Sequence, residues 1–382
     1  MVTLRHSICV SVCVLCAVAP LLATDSQDSA RIARQSRWDA LFDWNFMALP
    51  TVAYQPETDW AFGVAGVYYY KFGGATKTSD LSFDAAYTLR KQWNVNVSSF
   101  MYFGGDKRWL LYAKFGFKRY PDYFYGIGNS TAGRLSKRLS YSSDNVCVTL
   151  QPQCYVGDRW LVGASVDFRW ERPSVAADLD SLAQVCSVVG LDRQFFMLGL
   201  GAVVSYDSRD EQFYPHRGLF FKAAGSYYEP YLGSTYRLGK LSADLRHFVP
   251  IYNDFVFAWQ FTTDWTFGAQ KPFQYLATLG GQDVGRGLRY GAWRDDVMFN
   301  IQAEFRIPIW RFLKASVFAN VGDVYNLSDW RWTVPKVGYG AGLRVAITKA
   351  RVNVRFDVAR NNLNHSWRQD GWSFYLTVKE AF

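Results

Sequence analysis

Val352-Asn353-Val354-Arg355-Phe356-Asp357-Val358 sets apolar against polar side chains in strict alternation. A period of two belongs to an extended strand whose successive side chains leave on opposite faces. Asn353, Arg355 and Asp357 share a face that suits water, and the valines and Phe356 share one that suits hydrocarbon. The pattern recurs upstream. Leu81, Phe83, Ala85, Tyr87 and Leu89 oppose Ser82, Asp84, Thr88 and Arg90, and Phe255, Phe257, Trp259 and Phe261 oppose Gln260 and Thr262. Downstream, Trp372, Phe374, Leu376 and Val378 alternate in the segment that carries Phe382. Alternation by itself fits a soluble barrel, with the apolar set inside, as well as a membrane barrel, with that set outside.

Composition favours the membrane. Aromatic residues make up 18% of the 382 residues, as expected where rings pack a lipid-facing wall and form girdles at both interfaces. Mean hydropathy is nevertheless −0.11, and after the first residues no run approaches the roughly 18 apolar positions of a spanning helix. An apolar exterior around a polar interior satisfies both facts.

Runs of this kind predict sixteen strands, at 44–55, 58–70, 79–91, 93–103, 107–119, 138–150, 159–170, 195–206, 217–229, 234–248, 253–266, 296–308, 313–323, 336–347, 350–360 and 372–382. The expected fold is all-β, a sixteen-stranded antiparallel transmembrane β-barrel over residues 44–382. An even strand number puts both ends of the barrel on the periplasmic side. Long connections at 120–137, 171–194, 267–295, 323–335 and 361–371 then face outward. Connections on the other side are short, except 71–78, 151–158 and 207–216.

Residues 1–23 read as a secretion signal, with a basic start at Arg5 and His6, an apolar run from Ile8 to Leu22 and cleavage after Ala23. Residues 24–43, with Arg31, Arg34 and Arg37, read as a short periplasmic arm. Export removes nucleic acid as the partner of the formal charge of +9 and leaves outer-membrane lipids and lipopolysaccharide as its counter-charges. Of six cysteines, Cys147, Cys154 and Cys186 survive processing, so one thiol at least stays unpaired. No cysteine or histidine spacing suggests a metal, and no cofactor is expected. His216, His247 and His365 lie in no nucleophile or acid–base motif, so the chain is not expected to be an enzyme.

Several segments resemble the BamA/TamA superfamily, the bacterial surface antigen family of outer-membrane barrels. Asp207-Ser208-Arg209-Asp210 with Pro215 and Gly218 is similar to its D-[ST]-R-D periplasmic turn. Leu279-Gly280-Gly281 through Arg286-Gly287-Leu288 resembles its sixth outer loop, whose R-G-[FY] tip folds back into the barrel. Pro50 to Thr58 and Tyr125 to Thr131 resemble its first-strand opening and its Y-G-x-G-N-x-T loop. The resemblance implies that Arg286 meets acidic residues on the inner wall, and strand parity turns Gln302, Glu304 and Arg306 toward that lumen. Leu288 replaces the usual aromatic, and Asn320 stands where assembly factors carry a second acid. Glu304 is therefore expected to hold Arg286 largely alone, unless Asp323 or Asp357 contributes. The last strand, with Trp372, Phe374 and Phe382, resembles the signal read by the barrel assembly machinery. Members of the family place POTRA domains before the barrel, and residues 24–43 are too few for one.

The resemblance implies a compact member that moves or inserts polypeptide or lipid, with the Arg286 loop as plug or latch. Its partners would then be the assembly machinery during biogenesis and an unidentified periplasmic protein or polypeptide substrate. A structural barrel or narrow passive pore without translocase activity is the alternative.

Overall fold

The computed structural model describes residues 45–55, 59–72, 78–89, 91–104, 109–129, 139–175, 190–191, 193–212, 214–252, 254–310, 312–346, 353–363, 372–378, 380 and 382. Residues 1–23, read as a secretion signal, residues 24–43, read as an arm, and Cys186 and His365 lie outside the described residues.

Among the described residues eighteen strands follow one another: β1 (Phe46–Gln55), β2 (Asp59–Tyr70), β3 (Ser79–Thr88), β4 (Trp93–Phe103), β5 (Trp109–Phe124), β6 (Leu139–Val156), β7 (Trp160–Val175), β8 (Phe195–Asp207), β9 (Gly218–Tyr228), β10 (Leu238–Tyr252), β11 (Phe255–Phe267), β12 (Ala277–Leu279), β13 (Trp293–Asp295), β14 (Val297–Trp310), β15 (Leu313–Tyr325), β16 (Lys336–Ala346), β17 (Asn353–Asn361) and β18 (Trp372–Val378). Sixteen of them form one antiparallel meander in chain order, and β12 and β13 make a separate two-stranded ribbon within the β11–β14 connection. β1 and β18 end the order and are not paired with each other among the described residues.

Burial decides between the two kinds of barrel. Phe62, Phe305 and Leu343 are 50%, 44% and 45% exposed, whereas Gln302, Glu304, Arg344 and Asp357 on the opposite parity are at most 1% exposed. A water-soluble barrel has the reverse arrangement, because stripping water from charges costs several kcal/mol per ion, on the order of the penalty for buried salt bridges. An apolar outer wall and a polar inner one fit hydrocarbon outside. Cys147 and Cys154 are both free thiols, and their odd separation on β6 turns them to opposite faces.

The predicted strands and the sixteen of the sheet agree in number and order, with three corrections. First, residues 151–158 are not a long connection. β6 continues to Val156, and the turn is 157–159. Pro152 breaks the pairing locally: the β6–β7 ladder passes from Leu150↔Val166 to Gln153↔Gly163 with the register kept, while Pro152 still sits opposite Leu111 of β5. A proline cannot donate to the ladder on one side, yet it need not end a strand. Second, β5 runs on to Phe124. Third, β18 stops at Val378 and not at 382, and Phe382 packs with Phe248, Val256 and Ala258.

The short connections that follow Val156, Tyr252 and Trp310 mark one end of the barrel, and the long connections mark the other. Short periplasmic turns and long outer loops are the usual polarity of such barrels. The longest described connection, 268–296, enters the lumen. Phe273 and Leu276 join the inner cluster of Phe124, Leu139, Tyr141 and Leu191, and Tyr275 joins Phe195, Met197 and Tyr228. Leu279, Leu288 and Trp293 close a further cluster against Tyr125, Met298 and Val324. The loop is thereby fastened to opposite stretches of the wall by apolar burial.

Candidate functional site

At the tip of that loop Arg286 is fully buried. Its Nη1 donates to Asp357 Oδ2 at 3.0 Å, and its Nη2 lies 2.7 Å from Glu304 Oε2 as a charge contact without hydrogen-bond alignment. The guanidinium centre sits 3.6 Å from the centroid of the Phe318 ring. Arg286 thus has two carboxylate partners. Of the two further acids that the sequence offered beside Glu304, Asp357 contributes, brought to the same point by β17, whereas Asp323 is taken by Lys336 at 2.6 Å.

The tip's main chain is held as firmly as its side chain. Asn320 donates to the Arg286 carbonyl at 2.7 Å, Asn361 to the Gly287 carbonyl at 2.9 Å, and the Gly287 amide donates to Tyr375 Oη at 3.1 Å. Asn320 serves here as a donor, a role that the acid it replaces cannot fill when ionised. Gly287 has φ +91°, and a Cβ there would also meet the Arg360 carbonyl at 2.7 Å. Leu288, where an aromatic is usual, is fully buried beside Leu279 and Trp293.

Sequence reading missed what makes room for this tip. β16 presents Gly338, Gly340 and Gly342 at successive inward positions, and a Cβ on Gly338 would lie 2.0 Å from the Arg286 carbonyl oxygen. The alternation of glycine with Val337, Tyr339, Ala341 and Leu343 was the available signal. It shows a strand whose inner side chains are deleted where another backbone comes close.

Arg286 docks on a network that belongs to the wall. Arg344 Nη2 is 3.3 Å from Glu304 and its Nε 3.2 Å from Glu380, and its Nη1 also donates to Asp357. Arg355 Nε is 3.5 Å from Asp357. Arg306 Nε donates to Glu304 Oε1 at 3.2 Å, its Nη1 to the Pro215 carbonyl at 3.2 Å and its Nη2 to the Phe382 main-chain oxygen at 2.9 Å. Loop tip, periplasmic turn and Phe382, three separate motifs in the sequence, therefore converge on Glu304 and Arg306.

The turn itself is built by short-range bonds. Asp207 accepts from Arg209 Nε at 2.9 Å, and the Arg209 guanidinium lies 4.5 Å from the Phe220 ring centroid. Asp210 Oδ1 accepts from the amides of Glu211, His216 and Arg217. Gly218 has φ +109°, and a Cβ there would meet the Ser208 carbonyl at 2.4 Å. Gly218→Ala is therefore expected to cost about 1–3 kcal/mol, in the range of strained backbone positions. The check is the temperature at which the compact electrophoretic form converts to the unfolded one, which should fall. His216 lies 3.7 Å from both Asp210 and Asp254, and His247 packs against Trp259 on the outer face. Trp372 and Phe374 are exposed on that outer face as well.

Known structures share this architecture. BamA from Haemophilus ducreyi lacking POTRA domains 1–3 superimposes with a TM-score of 0.55 at 15% identity, covering 92% of this chain and 77% of that one. CdiB from Acinetobacter baumannii gives 0.56 at 11% identity, covering 87% of this chain and 59% of that one. CdiB from Escherichia coli gives 0.57 at 12%, covering 88% and 63%. This chain spans less than two thirds of either CdiB chain. No curated protein matches the sequence. The Omp85 superfamily domain matches residues 69–382, and with an outward apolar wall, a polar lumen and sixteen strands the chain belongs to the Omp85 superfamily, as an outer-membrane β-barrel.

Proposed function

We propose that this barrel moves or inserts polypeptide or lipid at the outer membrane, with the loop around Arg286 as a releasable latch inside the lumen. The observation that carries the reading is the partner list of Arg286. Glu304 keeps Arg306 and Arg344 without it, and Asp357 keeps Arg344 and Arg355. On the wall, Arg306, Arg344 and Arg355 face Glu304, Asp357 and Glu380, three cations against three anions before the loop adds its own. Withdrawal of the loop strands no wall charge, which is what a reversible contact requires and a purely structural ion pair does not. In this reading the outward strand with Trp372 and Phe374, followed by Phe382, is the segment engaged by the assembly machinery during biogenesis.

Depletion of the protein in cells tests the reading. Other barrels or surface-exposed proteins and lipids are expected to fall in the outer-membrane fraction. An outer-membrane composition identical to that of undepleted cells sinks it and leaves the passive barrel.

A further inference from the structure

On the outward parity of the described strands almost every side chain is uncharged. The exceptions with exposed charge are few and clustered. Arg119 of β5, Asp144 of β6 and Arg172 of β7 stand directly opposite one another in register, and Trp93 of β4 extends the same row. Among the described strand residues that share this face, the one other exposed ionised side chain is Arg360 of β17.

The row sits at a definite depth. Trp109 and Trp160, 48% and 46% exposed, mark the periplasmic end of β5 and β7. Arg119 follows Trp109 by ten positions, which at about 3.3 Å per residue and a tilt of about 40° is roughly 25 Å, the height of the apolar band. Beyond the row the outward positions become polar, with Ser140 and Ser142 on β6 and Ser174 on β7. The charges therefore stand at the upper rim of the hydrocarbon, where the head groups of the outer leaflet begin. A charge there costs little, against about 2–4 kcal/mol for Arg at the midplane.

The chemistry of the row is selective. Arg119 grips Asp144 with two parallel bonds, Nε to Oδ1 at 2.5 Å and Nη2 to Oδ2 at 2.9 Å, which fixes its fork and leaves Nη1 out of that pair. Arg172 makes no hydrogen bond or ion pair with the described residues and is exposed. The group carries a net charge of one positive, with two guanidinium groups flanking one carboxylate, one of them fixed by that carboxylate and the other unpaired among the described residues. Planar forks of this kind match phosphate oxygens in pairs. We propose that Arg119, Asp144 and Arg172 form a binding site for the phosphate of a phosphorylated glycolipid in the outer leaflet, with Trp93 against its sugar or upper acyl region.

The test uses the full-length barrel in phosphatidylcholine nanodiscs doped with lipid A, with bound lipid counted by native mass spectrometry. Native protein is expected to retain lipid A bearing its phosphates and to release the dephosphorylated form. The R119Q/R172Q variant should lose at least about tenfold in affinity, as two charge-assisted contacts require. R360Q, which removes an outward arginine that has no charged neighbour in register, should bind as the native protein does. Equal retention of the phosphorylated and dephosphorylated lipids by native protein overturns the proposal, and that arm needs no variant to fold. So does native affinity in R119Q/R172Q that migrates as a compact barrel, or an equal loss in R360Q.

Discussion

Arg286→Ala is expected to open the barrel without melting it. The substitution removes one aligned charge-assisted hydrogen bond, one close ion contact and a cation–π contact with Phe318. Together these fasten the loop tip by roughly 2–4 kcal/mol. The usual penalty for breaking a buried ion pair comes from the partner left alone, and here neither partner is left alone, because Arg306, Arg344 and Arg355 remain in contact with Glu304 and Asp357. Conductance across planar bilayers should therefore rise while the unfolding temperature of the compact band stays near the native value. Arg286→Lys should fall between, since an ammonium keeps the charge but cannot address two carboxylates as a fork does. Gly338→Ala offers the same outcome by another route: its methyl group would overlap the Arg286 carbonyl at 2.0 Å and unseat the tip with every charge still present. Native conductance in both Arg286→Ala and Gly338→Ala refutes the latch.

Much of this site was legible in the residues, because alternation is a local signal. Parity alone placed Gln302, Glu304 and Arg306 on the inner wall, where all three are buried. What parity cannot supply is distance around the barrel. Asp357 was on the correct face, but its approach to Arg286 depends on the registers β14–β15, β15–β16 and β16–β17 acting in series. A one-residue slip in any of them would send it to the lipid side. Arg306 was legible as a lumenal cation and illegible as a bridge, since its partners at Pro215 and Phe382 are main-chain oxygens that no side-chain pattern announces. The predicted last strand, 372–382, ran too far for a related reason: β18 ends at Val378, so parity no longer governs Phe382. The sixth strand was ended too early, at 150, because Pro152 interrupts only the ladder to β7 and leaves the one to β5 intact.

Glu304→Gln is expected to have the largest effect, and on stability as well as conductance. Three guanidinium groups contact Glu304: Arg286 at 2.7 Å, Arg306 at 3.2 Å and Arg344 at 3.3 Å. The amide keeps the volume and removes the charge. Arg344 retains Asp357 and Glu380, and Arg286 retains Asp357, but Arg306 loses its contact with the Glu304 side chain and keeps only the main-chain oxygens of Pro215 and Phe382 among the described residues. A buried cation stranded in this way costs about 3–5 kcal/mol. Arg306 also ties the periplasmic turn to Phe382, so the loss reaches the far mouth of the barrel as well as the loop. The compact band of Glu304→Gln should unfold at a clearly lower temperature than that of Arg286→Ala, and its conductance should rise too. The double variant Arg286→Ala/Glu304→Gln carries one buried cation fewer, and it is expected to be more stable than Glu304→Gln alone. That sign separates a charge-balanced network from a set of independent contacts, whose losses would simply add. A double variant less stable than Glu304→Gln by the full cost of Arg286→Ala would show that the contacts are independent.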